Sequence, residues 1–314
     1  MRGSFGGRVR KALRRVVLGG TVFPQQCDVG IDDPQAEIAV HLHGTNEPID
    51  VTQRHTLASA APFTVALQYS PAIQSARDRL SLHFRERSGR QRVLGKVRLR
   101  LAGVIPLGDR GIACFTVRSP QNYCLPAPRL WARYLHLAYQ RWRQPPDVPV
   151  SAADVHAMTI FFICPRPVAL VSVADGIGGN LFPMNLMGAL GDDLFGFALN
   201  RSRAAATIVS RVRRMAISSV PMAQAALARR LGRNHRRDRI EWDELGFPLA
   251  RSPEFALPVP AFALRVREAE VIATREMGSH RFFLARIMRD ECWSSGPQFG
   301  TMHGIYAGLR AGAG

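Results

Sequence analysis

Apolar and polar residues alternate with a period of two along much of this chain. Arg79 to Arg87 sets Leu80, Leu82 and Phe84 on one side and Ser81, His83 and Arg85 on the other. Arg92 to Leu101 places Val93, Val97, Leu99 and Leu101 on one face. Further strand-like runs are Ala36 to Leu42, Phe63 to Tyr69 and Ile112 to Val117. Period-two runs separated by Gly, Pro and Asp predict an antiparallel sheet. The period changes to that of a helix over Pro128 to Trp142, where Leu130, Tyr134, Leu137 and Ala138 form one stripe.

Three prolines in Pro145-Pro146-Asp147-Val148-Pro149 then interrupt the pattern and read as an extended linker. Beyond it, Ser151-Ala152-Ala153-Asp154 is suited to capping a short helix containing Val155 to Met158. Predicted strands follow at Thr159 to Cys164, Val168 to Ala174, Leu194 to Leu199, Arg214 to Ser219, Ala261 to Thr274 and Arg281 to Asp290, with a short last one near His303 to Leu309. Helices are predicted at Ala204 to Arg211 and Met222 to Leu231. Strands outnumber helices, and the helices fall between strands without regular alternation. The fold class is therefore mainly β with inserted helices (α+β), a barrel rather than a doubly wound sheet. The expected division is a basic tail over 1–18, a β-rich domain over 19–144, a linker over 145–153 and a second domain over 154–310.

A length of 314 residues suits about two domains of roughly 150 residues each. The net charge of +18 first suggests a nucleic-acid partner. Its distribution argues against one: the bases are almost all arginine, spread along the chain, and the densest runs, Arg8 to Arg15 and Arg229 to Arg239, carry no interleaved aromatics. Arginine-rich codon usage accounts for such a spread, and electrostatic steering of phosphorylated cofactors is the functional alternative. Five widely spaced cysteines with no C-x-x-C pair suggest free thiols in a reducing compartment, and no apolar run is long enough for a membrane span. A cytoplasmic protein is the expectation. His41 and His43 share a strand face without an identifiable third ligand, so no metal site is assigned. No G-x-S-x-G, H-E-x-x-H or P-loop occurs, and Gly176-Ile177-Gly178-Gly179 does not open a helix after a strand.

Four segments carry a resemblance. The first runs from Pro165-Arg166-Pro167 through the Asp175-Gly176 turn to Asn180-Leu181-Phe182-Pro183-Met184-Asn185. The second is Phe197-Ala198-Leu199-Asn200-Arg201-Ser202-Arg203 leading to Thr207, a strand end entering a helix. The third is Gly278-Ser279-His280 before a late strand, and the fourth is His303-Gly304-Ile305-Tyr306. In this order they resemble the flavin reductase-like family of FMN-binding split barrels. The resemblance implies a C-terminal FMN-binding split barrel over 154–310, preceded by the separate antiparallel β-rich domain. Relatives carry more Ser and Thr where this chain has Met184, Asn185 and Met187, and a Pro pair in place of Gly191-Asp192-Asp193.

The resemblance implies an NAD(P)H-dependent flavin reductase that binds FMN, takes electrons from NADH or NADPH, and supplies reduced flavin to a partner monooxygenase. It implies a homodimer with the pocket partly at the interface. Pro183, Met184 and Asn185 would face the ring; Asn200, Arg201, Ser202 and Thr207 would hold the phosphate and ribityl chain. Arg166, with Asn185, is a candidate for charge developing near N1 and C2=O, and His280 for the catalytic position beside the nicotinamide. The rival readings are a non-catalytic FMN- or ligand-binding protein on the same scaffold and an arginine-rich nucleic-acid-associated protein.

Overall fold

The computed structural model describes residues 26–33, 37–69, 73, 79–87, 90–107, 110–143, 150–191 and 193–310. The basic tail and the proline-rich stretch at 144–149 lie outside them.

Strand β1 (Gln26–Ile31) is followed by β2 (Ile38–His43), β3 (Ile49–Asp50), β4 (His55–Ala60), β5 (Phe63–Tyr69), β6 (Ser81–Glu86), β7 (Val93–Leu107) and β8 (Arg110–Asn122). Strands β2 to β8 form one antiparallel sheet of order β3-β2-β6-β7-β8-β5-β4. Its alternating sequence buries Leu82 and Phe84 on one face of β6 and leaves Ser81, His83 and Arg85 half-exposed. Helices α1 (Ala127–Arg143) and α2 (Ala152–Phe161) follow.

The second half continues with β9 (Arg166–Pro167), β10 (Ala169–Asp175), β11 (Gly178–Met184), β12 (Met187–Ala189), β13 (Leu194–Asn200), α3 (Ala204–Val212) and β14 (Arg214–Ser219). An irregular insertion holds α4 (Ala225–Arg230), the 3-10 turn Leu231–Arg236, β15 (Leu249–Arg251) and β16 (Pro258–Pro260). The chain ends its described part with β17 (Arg265–Met277), β18 (His280–Cys292), β19 (Gln298–His303) and α5 (Gly304–Arg310). A second antiparallel sheet has the order β11-β10-β14-β17-β18-β13-β12. Strand β19 lies between β1 and β9 in a small third sheet that ties the two ends of the chain together.

Three sequence expectations change. Thr159 to Cys164 is not a strand: α2 runs through Phe161 and the chain then turns. Ser151 and Asp154 form a reciprocal capping box that starts the helix, and the apolar run after it is buried on every side, so it has no period to distinguish strand from helix. Residues from His303 to Leu309 are likewise mostly helix, with the strand lying just before, at β19. The His303 Nδ1 accepts from Ile305 N–H at 3.2 Å, satisfying a donor in the helix's first turn. The expected helix at Met222 to Leu231 is broken into a 3-10 turn, the short α4 and a second 3-10 turn.

The first core gathers Leu42, Phe63, Phe84 and Phe115 from the sheet with Ile160, Phe161 and Ile305 from beyond the proline-rich stretch. A second core fills the other barrel around Phe182, Phe197, Val209 and Phe283. A third belongs to neither sheet alone: Ala58, Ala66, Ile105, Ile112 and Cys114 pack with Leu190, Leu194, Met277, Phe282 and Leu284.

Phe161 is fully buried, with its ring centroid 5.0 Å from those of Phe63 and Phe84. Phe161→Ala is expected to cost about 3–5 kcal/mol in denaturant unfolding, and Ser151→Ala, which removes only the cap, about 1 kcal/mol.

Candidate functional site

The hairpin of β10 and β11 brings Pro183 and Met184 to the end of the second sheet, where the chain leaves β11 as Asn185-Leu186. The N–H of Ala198 on β13 donates to the carbonyl of Leu186 at 2.9 Å, so this segment lies against the end of β13. From there Asn200 leads to Arg203, the N-cap of α3, which has extended backbone and no side-chain cap bond. Asn200 is paired in register with His280 at the start of β18. A cavity of about 530 Å³ opens between these elements. Its wall includes Pro183, Met184, Asn185, Asn200, Arg203 and His280.

The far wall is the 3-10 turn Leu231–Arg236, which contributes Gly232, Arg233, His235 and Arg236. Its position is set by side chain–backbone hydrogen bonds to β11. Asn234 Nδ2 donates to the Leu181 carbonyl at 2.8 Å, and Asn180 Nδ2 donates to the carbonyls of Asn234 and Arg237 at 3.0 and 2.6 Å. His235 Nε2 lies 2.7 Å from the Pro183 carbonyl, to which it donates, with its ring 4.9 Å from Phe182. Burial lowers the pKa of His235, so this donating neutral form is the one favoured. Among the described residues no Asp or Glu lines the cavity, whereas three arginines do. The turn belongs to the arginine run from Arg229 to Arg239, whose charge density is the one sequence signal that points to it.

His280 is 8% exposed, and burial lowers its pKa to about 4. Its Nδ1 is 2.8 Å from Ser279 Oγ and 3.4 Å from the N–H of Ala60 on β4. The Ala61 N–H donates to Ser279 Oγ at 3.0 Å, and the Ser279 N–H donates to the Ala61 carbonyl at 2.7 Å. With Ala61 donating to it, the Ser279 hydroxyl is oriented to donate onward to Nδ1. That makes Nδ1 an acceptor and puts the proton of the neutral ring on Nε2. The turn itself requires glycine: Gly278 has φ +59°, and a Cβ there would stand 2.2 Å from the Ala61 carbonyl oxygen.

The other expected residues are placed less uniformly. Ser202 is exposed beside the cavity, with its Oγ donating to Asn200 Oδ1 at 2.8 Å; Arg201 is exposed next to it, and its N–H donates to the Ser279 carbonyl. Thr207 is exposed one turn into α3, outside the cavity wall. The structure does not bring Arg166 to this cavity. It is 6% exposed and lines a second cavity, of about 550 Å³, with Thr52, His55 and Met187. There Arg166 Nη2 donates to His55 Nε2 at 3.2 Å, while His55 Nδ1 donates to the Val51 carbonyl at 2.7 Å. Burial and the guanidinium hold His55 near pKa 3, which keeps Nε2 an acceptor. Arg166 Nε has no hydrogen-bond partner among the described residues. In the first sheet His43 stacks on His83 at 3.8 Å between ring centroids, and no group of three metal-ligating side chains occurs among the described residues.

Residues 161–298 match the flavin reductase like domain family, which is the resemblance read from the four segments. None of the curated proteins compared matches the chain. Among solved structures, it is similar to the NADH:FAD oxidoreductase SgcE6 of Streptomyces globisporus C-1027, at 18% identity over 51% of this chain and 95% of that one, TM-score 0.43. It is similar to BorF, the flavin reductase component of a bacterial two-component tryptophan halogenase, at 18% identity over 47% and 91%, TM-score 0.41. An FMN-binding protein from Thermus thermophilus with bound 1-cyclohex-2-enone is 23% identical over 41% and 71%, TM-score 0.37.

Three buried histidines and the half-exposed His83 have depressed pKa values: about 3 for His55 and His303 and about 4 for His83 and His280. The unfolded chain protonates them near the ordinary value of about 6.5, so below that pH it binds more protons than the fold does. Folding stability should therefore be whole above about pH 6.5 and decline as pH falls from there toward 4. Denaturant unfolding across that range checks the sign, and the imidazole NMR signals of His280 should show no protonation down to about pH 5.

Proposed function

We propose that the arginine-lined cavity binds FMN and that the protein is an NAD(P)H-dependent flavin reductase. The observation that carries this reading is a pocket with three arginines and no acid, formed within the stretch that matches the flavin reductase like domain. Its volume lies in the range of small-molecule sites, and its charge suits a phosphate-bearing ligand.

The phosphate is held at the start of α3. The helix N-terminus and Arg203, which lines the cavity, lie there, with Asn200, Arg201 and Ser202 on the same turn. Arg233 and Arg236 oppose them across the cavity. Pro183, Met184 and Asn185 form the wall for the ring system, and His280 presents its Nε2 proton as a hydrogen-bond donor beside it. When bound, the flavin supplies the hydride chemistry, and NADH or NADPH is the donor. The chain anchors the phosphate, orients the ring and keeps His280 neutral at physiological pH. Reduced flavin is the product, consumed by a separate monooxygenase. Five free cysteines, and no helix among the described residues long and apolar enough to cross a membrane, support a cytoplasmic setting.

The test is absorbance spectroscopy of the purified protein with added FMN, followed by NADH and NADPH oxidation with and without flavin. Saturable binding and flavin-dependent oxidation are expected. Binding without oxidation above background would make the protein a flavin carrier, and no binding would remove the reading. Arg203→Ala should raise the FMN dissociation constant about 10- to 100-fold, as loss of a charge-assisted phosphate contact does, with the fold unchanged by circular dichroism.

A further inference from the structure

The two seven-stranded sheets are built alike. Counting the strands of each in chain order, both run second, first, fifth, sixth, seventh, fourth, third across the sheet, and every pairing is antiparallel. The likeness extends to irregularities. The long hairpin β7–β8 closes on the pair Leu107 and Arg110 and carries a bulge between Leu101 and Gly103, opposite Cys114. The long hairpin β17–β18 closes on Met277 and His280 and carries a bulge between Val271 and Ala273, opposite Leu284. Gly103 and Ala273 stand equally far from their turns, as do Cys114 and Leu284. A bulge is a defined local feature of one register, so its recurrence at the same place in two sheets of the same order marks a repeat of one fold.

Several contacts between the sheets join like to like. The third core packs Ile112 and Cys114 of β8 with their register equivalents Phe282 and Leu284 of β18. The sixth strands meet where Arg275 Nη1 of β17 donates to the Val104 carbonyl of β7 at 2.9 Å. The third strands meet where Gly188 of β12 stands so close to β4 that a Cβ would lie 3.1 Å from the His55 carbonyl oxygen. Equivalent elements meeting each other is the signature of a twofold, isologous interface.

We propose that the N-terminal half is a second copy of the barrel acting as a built-in partner subunit, so that one chain is a complete pseudo-twofold dimer with a single flavin pocket. The built-in partner supports that pocket from behind its wall: Ala60 and Ala61 of the first half donate to His280 Nδ1 and Ser279 Oγ, which fixes the tautomer of the imidazole. The count of one pocket rests on the flavin reading above. In the first half the register position of His280 is held by Arg110, and the flavin reductase like match covers only 161–298. The homodimer implied by the resemblance is replaced, in this proposal, by an intramolecular pairing.

Light scattering on the full chain after size exclusion, over a hundredfold range of concentration, gives the assembly; calorimetric titration with FMN gives the site count. A mass of one 314-residue chain throughout and one FMN per chain are expected. A mass of two chains would overturn the built-in partner, and two FMN per chain would overturn the single pocket. One-chain mass with no FMN binding would remove the flavin reading and the pocket count while upholding the pairing. Hydrogen exchange supplies an independent check: amides of β8 and β18 should open as one cooperative unit, and separate opening energies for the two hairpins would overturn a shared core.

Discussion

A twisted sheet with an apolar face must bury that face against something, and here the two sheets bury each other. The third core, with Ile105, Ile112 and Cys114 on one side and Met277, Phe282 and Leu284 on the other, is the contact on which the site depends. It brings β4 against the β17–β18 turn, where Gly278 has no side chain to hold them apart. From that approach follow the backbone bonds between Ala61 and Ser279, the neutral His280 and the direction of its remaining proton. Packing in the interior thus sets the protonation chemistry of a group on the cavity wall.

A second layer of organisation lies in the insertion between β14 and β17. Its 3-10 turn is not a strand of either sheet and is held in place by side chains. Asn180 and Asn234, buried and bonded to backbone carbonyls, hold it over β11. Buried amides that make these bonds cannot be replaced by apolar groups without leaving carbonyls unpaired. The arrangement places arginines from a distant part of the sequence opposite Arg203.

Much of the sheet structure was legible because alternation is local. Phe63–Tyr69 and Arg214–Ser219 have the bounds that their residue pattern predicts. The cavity wall was legible where neighbours in sequence stay neighbours in space, as at Pro183 to Asn185 and around Asn200. It was not legible at Arg233 and Arg236, whose placement depends on side-chain bonds spanning more than fifty residues. The segment from Thr159 to Cys164 misled because residues buried on all sides carry no period. The likeness of the two halves was hidden for a different reason. It resides in strand order and bulge position, while equivalent core positions carry different residues, such as Cys114 and Leu284 or Ile112 and Phe282.

The third core also has a consequence for how the protein responds to dilution. Two surfaces carried by one polypeptide meet at an effective concentration set by the connecting chain, not by the number of molecules in solution. Opening that core exposes apolar strands and frees Ser279 and His280 from Ala61 and Ala60 in the same event, and reclosing needs no encounter with another molecule. Joining the halves covalently also allows the two barrels to diverge separately, since neither has to serve as both halves of the contact. One copy can then keep the cavity while the other is shaped only by what it must cover.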